Sequence, residues 1–254
     1  MIDLEGLLET GRTGHVRVGI GLEPRRLSRT SEDLEKRGCG VDLVGYSDAR
    51  TLVRALMDED VDAAVRGTLG SGGAVEAMRT LSATGTVMRT AVMSDANGRP
   101  FLLTPVGIDE GNSLEQRLEL VRRTVRYFTP AGWRIEVGVL SKGRPEDKDR
   151  GNDIARSLEE GEAMKRALTA EGVPARHYSI LVEEAVRERD LVVAPDGVVG
   201  NLMFRTLHFL GDGKSYGAPI VNLPRVFVDT SRAKEDYSGP VLLAAGLAHA
   251  GCGA

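Results

Sequence analysis

The residues best suited to chemistry lie where a short apolar run gives way to a glycine turn and then to a helical pattern. Leu191–Val193 predicts a strand that is buried on both faces, and Asp196–Gly197 interrupts it. Behind the interruption, apolar residues recur at helical spacing: Val199, Met203, Leu207 and Leu210. Gly200 and Asn201 fall in the first helical turn, where backbone N–H groups are free. A strand, a glycine turn and a helix start together predict a binding site for an anion such as phosphate.

A second glycine-rich turn follows another apolar run. Val61–Val65 predicts a strand, and Val75 with Met78 predicts the helix after the turn. Between them the turn contains Gly67, Thr68, Gly70, Ser71, Gly72 and Gly73. Backbone N–H groups in such a turn can surround a phosphate. Composition alone leaves a simple tight turn between strand and helix equally open.

Several better-known site patterns are absent from the sequence. A phosphate-binding P-loop ending at Gly213–Ser215 would need a glycine where His208 stands, and a dinucleotide-binding turn after Gly19 would need one at Pro24. No glycine loop typical of cofactor-dependent methyltransferases follows the first strand. The histidines are scattered, without the spacing of metal ligands, so we expect no metal site and no tightly bound cofactor: His15, His177, His208 and His249.

Composition narrows the class of partner. The net charge is −4, so there is no basic excess to neutralise a nucleic-acid backbone, and we expect no nucleic-acid partner. The two cysteines, Cys39 and Cys252, form no close pair, which favours a reducing cytoplasm over a disulfide scaffold. The first residues lack the charged and apolar regions of a signal peptide, and no stretch predicts a membrane span.

The remaining patterns alternate between strands and helices, which predicts the α/β class with a mostly parallel sheet. Asn97–Gly98 between two apolar runs predicts a hairpin. Thr30 and Asp33 resemble a capping box and predict a short helix that Gly38 ends. Further strands are predicted over His15–Gly21, Val41–Gly45 and Arg134–Leu140, and further helices over residues 48–58 and 150–170.

One helix is predicted in more detail. Ser113 and Gln116 form a capping box at its start. Its apolar stripe is Leu114, Leu118, Val121, Val125 and Phe128. Its arginines lie off that stripe, so we expect them on a solvated or interface face, with an anion site as the less favoured alternative: Arg117, Arg122, Arg123 and Arg126.

These motifs carry a family resemblance. Asp196–Asn201 reads D-G-V-V-G-N and resembles the D-G-[FV]-x-G-N turn of the acyltransferase PlsX and the N-L-E-x-G-N turn of phosphotransacetylases. Asp229–Arg232 reads D-T-S-R and is similar to the N-D-L-S-R-G motif of phosphotransacetylases. The segment V-G-V-L-S-K-G resembles V-G-L-L-N-x-G of PlsX. The chain thus resembles the phosphate acetyl/butyryltransferase superfamily over roughly residues 60–250.

The resemblance has three departures at positions that matter for chemistry. Residues 61–79 resemble the A-D-[AG]-x-V-S-G-A-x-H-T-T segment, but Arg66 replaces the serine and Gly70 or a neighbour replaces the histidine. The aspartate six residues beyond the motif's arginine is Ser238 here. The short chain and the variant D-T-S-R motif most resemble the methanogen MtxX family, also called methanogenesis marker protein 4, which carries the label of a methyltransferase subunit.

The resemblance implies a fold like that of isopropylmalate dehydrogenase, with two α/β domains and a cleft between them. Domain I would comprise residues 1–84 together with 225–254, and domain II residues 85–224. The superfamily also implies a homodimer that buries apolar surface of domain II.

The resemblance implies transfer of an acyl group between a thioester and inorganic phosphate, so that a CoA-like thioester or phosphate would be the substrate rather than a bound cofactor. Ser231, Arg232 and Asp236 would be catalytic, and Asp229 with the two glycine turns would bind the anionic substrate. From the residues alone, a helix N-cap followed by a solvated arginine is the favoured interpretation of Ser231–Arg232. The changed histidine and aspartate positions favour an alternative, in which the chain is a catalytically altered accessory or methyltransferase-associated subunit of methanogenic one-carbon metabolism.

Overall fold

The computed structural model describes residues 2–81 and 85–253, and the chain divides into two compact units. The terminal unit comprises Asp3–Val87, Tyr127–Gly132 and Tyr216–Ala254, and the central unit consists mainly of Met88–Arg126 and Trp133–Ser215. Each contains mostly parallel paired strands together with helices, which confirms the α/β class. The domain boundaries implied by the resemblance stay a prediction, and the one at residue 84 lies outside the described residues.

The terminal unit is built on four parallel strands in the order β2-β1-β3-β10, with the end of β9 antiparallel to β10. The strands are β1 (Arg17–Ile20), β2 (Asp42–Gly45), β3 (Ala63–Val65), β9 (Lys214–Pro219, which begins in the central unit) and β10 (Val226–Asp229). The helices are α1 (Leu4–Thr13), α2 (Pro24–Lys36), α3 (Ala49–Met57), α4 (Ser71–Leu81) and α9 (Ser238–His249). Strand β3 is wholly buried, and Leu52, Met78 and Phe227 lie in the hydrophobic core around it.

The central unit has the strand order β4-β5-β8-β6-β7, in which only the β4–β5 hairpin is antiparallel. The strands are β4 (Ala91–Ser94), β5 (Pro100–Thr104), β6 (Val137–Val139), β7 (Ala175–His177) and β8 (Leu191–Val193). The helices are α5 (Leu114–Phe128, whose last two residues belong to the terminal unit), α6 (Asn152–Ala170), α7 (Val182–Glu188) and α8 (Gly197–Phe209), with a 3-10 helix over Pro145–Arg150. The predicted Asn97–Gly98 hairpin is confirmed, with Gly98 at φ +84°.

Two predicted details are wrong. Helix α2 begins at Pro24, a residue well suited to the first helical position, and the Thr30 hydroxyl donates to the carbonyl oxygen of Arg26 inside the helix rather than capping a new one. In α5 the Ser113 cap is confirmed, since its hydroxyl accepts from the Gln116 N–H, but Arg117 is buried instead of solvated. The buried face of α5 is rotated from the predicted stripe and runs through Arg117, Leu120, Val121, Thr124 and Phe128.

Candidate functional site

In the terminal unit, two of the predicted site loops leave the same edge of the sheet. Strands β3 and β10 are parallel neighbours, with Val65 opposite Val228. Their carboxyl ends therefore lie side by side, and ligands of parallel sheets bind at that edge. The loop of Gly67–Gly73 follows β3, and the loop that contains Ser231 and Arg232 follows β10. The fold thus brings together two segments that lie more than 150 residues apart in the sequence.

Arg66 ties these two loops to each other. Its side chain is 8% exposed and pairs with the Asp229 carboxylate through Nε. One terminal nitrogen donates to the carbonyl oxygen of Leu69 at 2.5 Å, and the other donates to the carbonyl oxygen of Thr230. The Thr230 hydroxyl donates back to the carbonyl oxygen of Gly67 at 3.1 Å. The residue that replaces the superfamily's serine therefore fixes the loops of the candidate site, and Asp229 serves as its counter-ion.

The glycine loop has a fixed beginning and an open end. Gly67 has φ +64°, and a Cβ on it would lie 2.2 Å from the carbonyl oxygen of Gly21, so glycine is required there. The Thr68 N–H donates to the same oxygen at 2.8 Å. In contrast, Gly70, Ser71, Gly72 and Gly73 are exposed and lead into the first turn of α4. Backbone N–H groups in a first helical turn lack intrahelical acceptors, so this end of the loop can meet an anion.

Ser231 and Arg232 lie just beyond the Arg66 tie. The Ser231 hydroxyl oxygen accepts from the Ala233 N–H at 3.3 Å, and its carbonyl oxygen accepts from the Lys234 N–H at 3.2 Å. Arg232 is exposed, and among the described residues no carboxylate pairs with it. Its guanidinium can therefore present two parallel N–H groups to a phosphate or a developing oxyanion.

Asp236, the predicted base, is engaged at the start of α9. Its carboxylate accepts from the Ser238 N–H at 2.8 Å and lies 3.9 Å from the Arg37 guanidinium. Burial acts to raise the pKa of Asp236, but the hydrogen bonds from Ser238 and the charges of Arg37 and Lys234 together outweigh it, so the pKa is lowered. A lowered pKa makes a carboxylate a weaker proton acceptor. In the same loop, burial lowers the pKa of Lys234, which sequence reasoning had not singled out.

In the central unit, the Asp196–Asn201 turn is anchored on the segment after β5. The Asp196 carboxylate caps α8 by accepting from the Val199 N–H at 2.8 Å. The Gly197 N–H donates to the carbonyl oxygen of Glu110 at 3.1 Å, and the Asn201 amide donates to that of Val106 at 2.8 Å. The backbone N–H groups of Gly197 and Val199 thus have partners within the unit. The role of this turn in phosphate binding stays a prediction.

Close packing explains the two glycines of this turn. A Cβ on Gly197 would lie 1.9 Å from the carbonyl oxygen of Gly107, and one on Gly200 would lie 1.8 Å from that of Pro105. Neither backbone oxygen can move aside as a flexible side chain would. The glycines are therefore required for α8 to approach the segment after β5, whatever the turn binds.

Gly200→Ala is expected to lower the free energy of unfolding by roughly 3 kcal/mol, the upper end of the usual cost of overpacking, because the new methyl group meets backbone. Gly72→Ala is the matched control, since a Cβ there has nothing within 4 Å and alanine favours helix more than glycine does. Chemical denaturation followed by circular dichroism measures both. Equal stability of the two variants would contradict the packing role of Gly200.

A cavity of about 650 Å³ opens in the central unit beside this turn. The starts of α5 and α8 line it, together with Lys142, which follows β6. The Lys142 ammonium lies 3.3 Å from a carboxylate oxygen of Asp196 and 3.3 Å from one of Asp153. Burial acts to lower the pKa of Lys142, yet the two carboxylates outweigh it, so the pKa is raised and the ammonium stays charged.

Lys142 was not among the predicted site residues, although a signal for it existed. It lies shortly after the buried strand β6, and the carboxyl ends of parallel strands carry the binding residues of α/β folds. Arg117 also supports this site, because it donates to the carbonyl oxygen of Pro195 at 2.7 Å and to Glu160 at 2.6 Å.

Among the described residues no cluster of His, Cys, Asp and Glu could hold a metal ion, and no helix is long and apolar enough to cross a membrane.

The chain is similar in sequence to proteins of methanogenic archaea. It is 37% identical over 219 residues to a Methanosarcina barkeri protein named "putative methyltransferase mtx subunit X", covering 86% of this chain and 81% of that one. It is 38% identical over 257 positions to an uncharacterized methyltransferase of Methanopyrus kandleri, covering 92% and 99%. No protein-family profile matches the sequence.

The fold is similar to that of a solved branched-chain phosphotransacylase from Enterococcus faecalis. The TM-score is 0.73 at 18% sequence identity, and the match covers 92% of this chain and 99% of that one. At this identity the likeness concerns the fold alone. The phosphotransacetylase-like fold implied by the sequence motifs is thereby confirmed.

Proposed function

The chain belongs to the mtx subunit X family, and we propose that it is a transferase that moves an acyl or related group between phosphate and a CoA-like thioester. The observation that carries this proposal is the pair of half-buried Ser231 and exposed Arg232, held beside the open glycine loop by the Arg66 tie. The fold shared with a phosphotransacylase supports it.

The reaction requires that phosphate is bound, that the oxyanion is stabilised and that a proton is transferred. A phosphate oxygen attacks the thioester carbonyl carbon, the C–S bond breaks, and the thiolate leaves and takes up a proton. Arg232 would hold the phosphate or the oxyanion that forms at the carbonyl oxygen. Ser231, whose hydroxyl proton has no acceptor among the described residues, would donate to the sulfur or the carbonyl oxygen. Asp236 is the proposed base. Its carboxylate already accepts a hydrogen bond from the Ser238 N–H, which makes it a weaker proton acceptor.

Within the central unit, Lys142 would be the cation that binds an anionic group at the cavity beside α8. Its partner Asp153 has a side chain that is 55% exposed, so this pair is readily exchanged for a pair with phosphate. The other partner, Asp196, is 23% exposed and holds the ammonium at the start of α8.

A second function is favoured by the names of the relatives and by the altered positions. Two relatives are named as methyltransferases. Arg66 and Ser238 stand where the resemblance implies a serine and a catalytic aspartate, and Ser238 is fully buried. In this alternative, the chain keeps an anion-binding site but acts as an accessory subunit in the transfer of methyl groups.

A thermal-shift screen with phosphate, CoA, acetyl phosphate and coenzyme M separates the two functions. A ligand at about 100 times its dissociation constant stabilises the folded state by about 2.7 kcal/mol, which a melting curve detects. Stabilisation by phosphate and CoA would support acyl transfer. Stabilisation by coenzyme M alone would favour the alternative.

The free thiols of Cys39 and Cys252 support our further proposal that the chain works in the cytoplasm.

We also propose that the chain is a homodimer that pairs through α8. The residues of α8 that are buried in one chain are two glycines, Gly197 and Gly200, although the helix is largely apolar. Val198, Leu202 and Phe209 are 52%, 60% and 41% exposed, and they follow one another at helical spacing. An apolar helix face of this kind is typical of a surface covered by a partner. A second copy is the partner that the superfamily resemblance implies.

Leu202→Asp is expected to convert a dimer into a monomer, because it places a charge in the centre of the apolar stripe. Light scattering at micromolar concentration should give about twice the chain mass of 27.3 kDa for the wild type and the single mass for the variant. Ile180→Asp is the control, since Ile180 is 50% exposed and lies outside α8, and it should stay dimeric. A wild-type mass near that of one chain would contradict the proposal.

A further inference from the structure

Ser141, His177 and Glu162 form a hydrogen-bonded chain in the central unit that the proposed chemistry does not use. The His177 ring is 6% exposed, and its Nδ1 lies 2.9 Å from a carboxylate oxygen of Glu162. Its Nε2 lies 3.0 Å from the Ser141 hydroxyl. That hydroxyl is buried and donates to the carbonyl oxygen of Gly143 at 3.1 Å. The chain therefore ends on the backbone of the loop that carries Lys142.

A hydroxyl, an imidazole and a carboxylate in this order suggest an activated nucleophile, but the geometry opposes that role. A nucleophilic serine must reach the substrate and give its proton to the imidazole. Ser141 is 2% exposed, and its single proton is used on Gly143. The imidazole must then donate to the Ser141 oxygen through Nε2, while Nδ1 lies beside the Glu162 carboxylate. The hydrogen bond from His177 also lowers the pKa of Glu162, as expected for a carboxylate that accepts it.

The same loop is held at two further points. The Ser141 N–H donates to the carbonyl oxygen of Ser179 at 2.7 Å, and the Lys142 N–H donates to the Ser157 hydroxyl at 3.1 Å. These bonds fix the backbone on both sides of the Lys142 side chain. The Ser141 hydroxyl closes the turn by reaching Gly143, and His177 fixes the direction of that hydroxyl. Without the imidazole, the hydroxyl could rotate and release Gly143.

We propose that His177 is a positioning residue for Lys142, acting through the Ser141 hydroxyl to hold the Lys142 ammonium between Asp153 and Asp196 at the cavity of the central unit. The inference rests on the proposed function in one respect, since there Lys142 is the cation that meets a phosphate group. The geometric part concerns only this chain and can be tested without any substrate.

The test is NMR of the protein after its lysines are reductively methylated with carbon-13, which keeps their positive charge. The Lys142 signal is assigned by its loss in Lys142→Arg. In Ser141→Ala and His177→Phe this signal should move toward the position of an exposed lysine, while that of Lys148, which pairs with Glu159 at the surface, stays unchanged. Glu162→Gln should preserve the wild-type signal, because an amide oxygen still accepts from Nδ1. If His177→Phe does not fold, Ser141→Ala carries the test.

An unchanged Lys142 signal in Ser141→Ala would overturn the proposal. A titration with inorganic phosphate tests the proposed function separately from the positioning role of His177. If phosphate binds the wild type, the affinity should fall several-fold in Lys142→Met and to a similar extent in Ser141→Ala. If phosphate does not bind the wild type but the Lys142 signal still depends on Ser141, the positioning role stands and the phosphate-binding function is overturned.

Discussion

Arg66→Met should lower the free energy of unfolding by about 3–5 kcal/mol, the usual cost of removing one partner of a buried ion pair. The side chains of Arg66 and Asp229 are 8% and 13% exposed, so the substitution removes the Arg66 cation from a largely buried carboxylate. It also takes the guanidinium N–H groups away from the carbonyl oxygens of Leu69 and Thr230. Chemical denaturation followed by circular dichroism measures the change. Hydrogen exchange should rise most in the loops that follow β3 and β10.

Arg225→Met is the matched control for this prediction. Arg225 pairs with Glu59, but their side chains are 38% and 68% exposed, and such surface pairs contribute about 0–1 kcal/mol. Arg66→Lys should recover only part of the loss, because an ammonium cannot reach three acceptors in the plane of a guanidinium. Equal stability of Arg66→Met and Arg225→Met would show that the tie between the loops contributes little.

Arg232→Lys should weaken the binding of phosphate by roughly tenfold or more, while the melting temperature stays nearly unchanged. Arg232 is exposed and contributes little to the core, whereas hydrogen bonds to a charged group contribute about 1.5–3 kcal/mol each. Lysine keeps the charge but loses the planar pair of donors. A factor of ten in affinity corresponds to about 1.4 kcal/mol, and calorimetric titration with phosphate or CoA resolves it.

Arg54→Lys is the control for the arginine substitution, since Arg54 is exposed on α3 and should leave affinity unchanged. Equal affinities of the wild type and Arg232→Lys would show that the guanidinium does not meet the anion. A collapse of the melting temperature in Arg232→Lys would instead give this residue a structural role, and the proposed site would lose its main cation.

The sequence predicts best where a local pattern decides the structure. The Asn97–Gly98 hairpin and the strands that precede the two glycine turns were predictable because turn chemistry and apolar runs act over a few residues. Helix α9 has no such pattern. Its buried residues lie on all sides, so apolar residues follow one another without helical spacing, and the sequence analysis did not identify it.

The candidate site was predictable in its loops but not in its contacts. The order of strand, glycine turn and helix indicates where a loop lies, but it does not reveal which side chain bridges two loops. Arg66 and Asp229 are 163 residues apart, and only the pairing of β3 with β10 makes them neighbours. Arg117 was expected on the surface for the same reason, because its acceptors belong to other segments of the chain: Glu160 and the carbonyl oxygen of Pro195.

The most direct test of the proposed transferase is to incubate the protein with an acyl-CoA and inorganic phosphate and to measure free thiol and acyl phosphate together. The proposal predicts that the two products form in equal amounts, because each broken C–S bond gives one thiol and one acyl phosphate. Arg232→Ala should abolish both products, and Arg54→Lys should leave both unchanged. No thiol release from a panel of acyl chain lengths, by a wild-type protein that binds neither phosphate nor CoA, would contradict the proposed function.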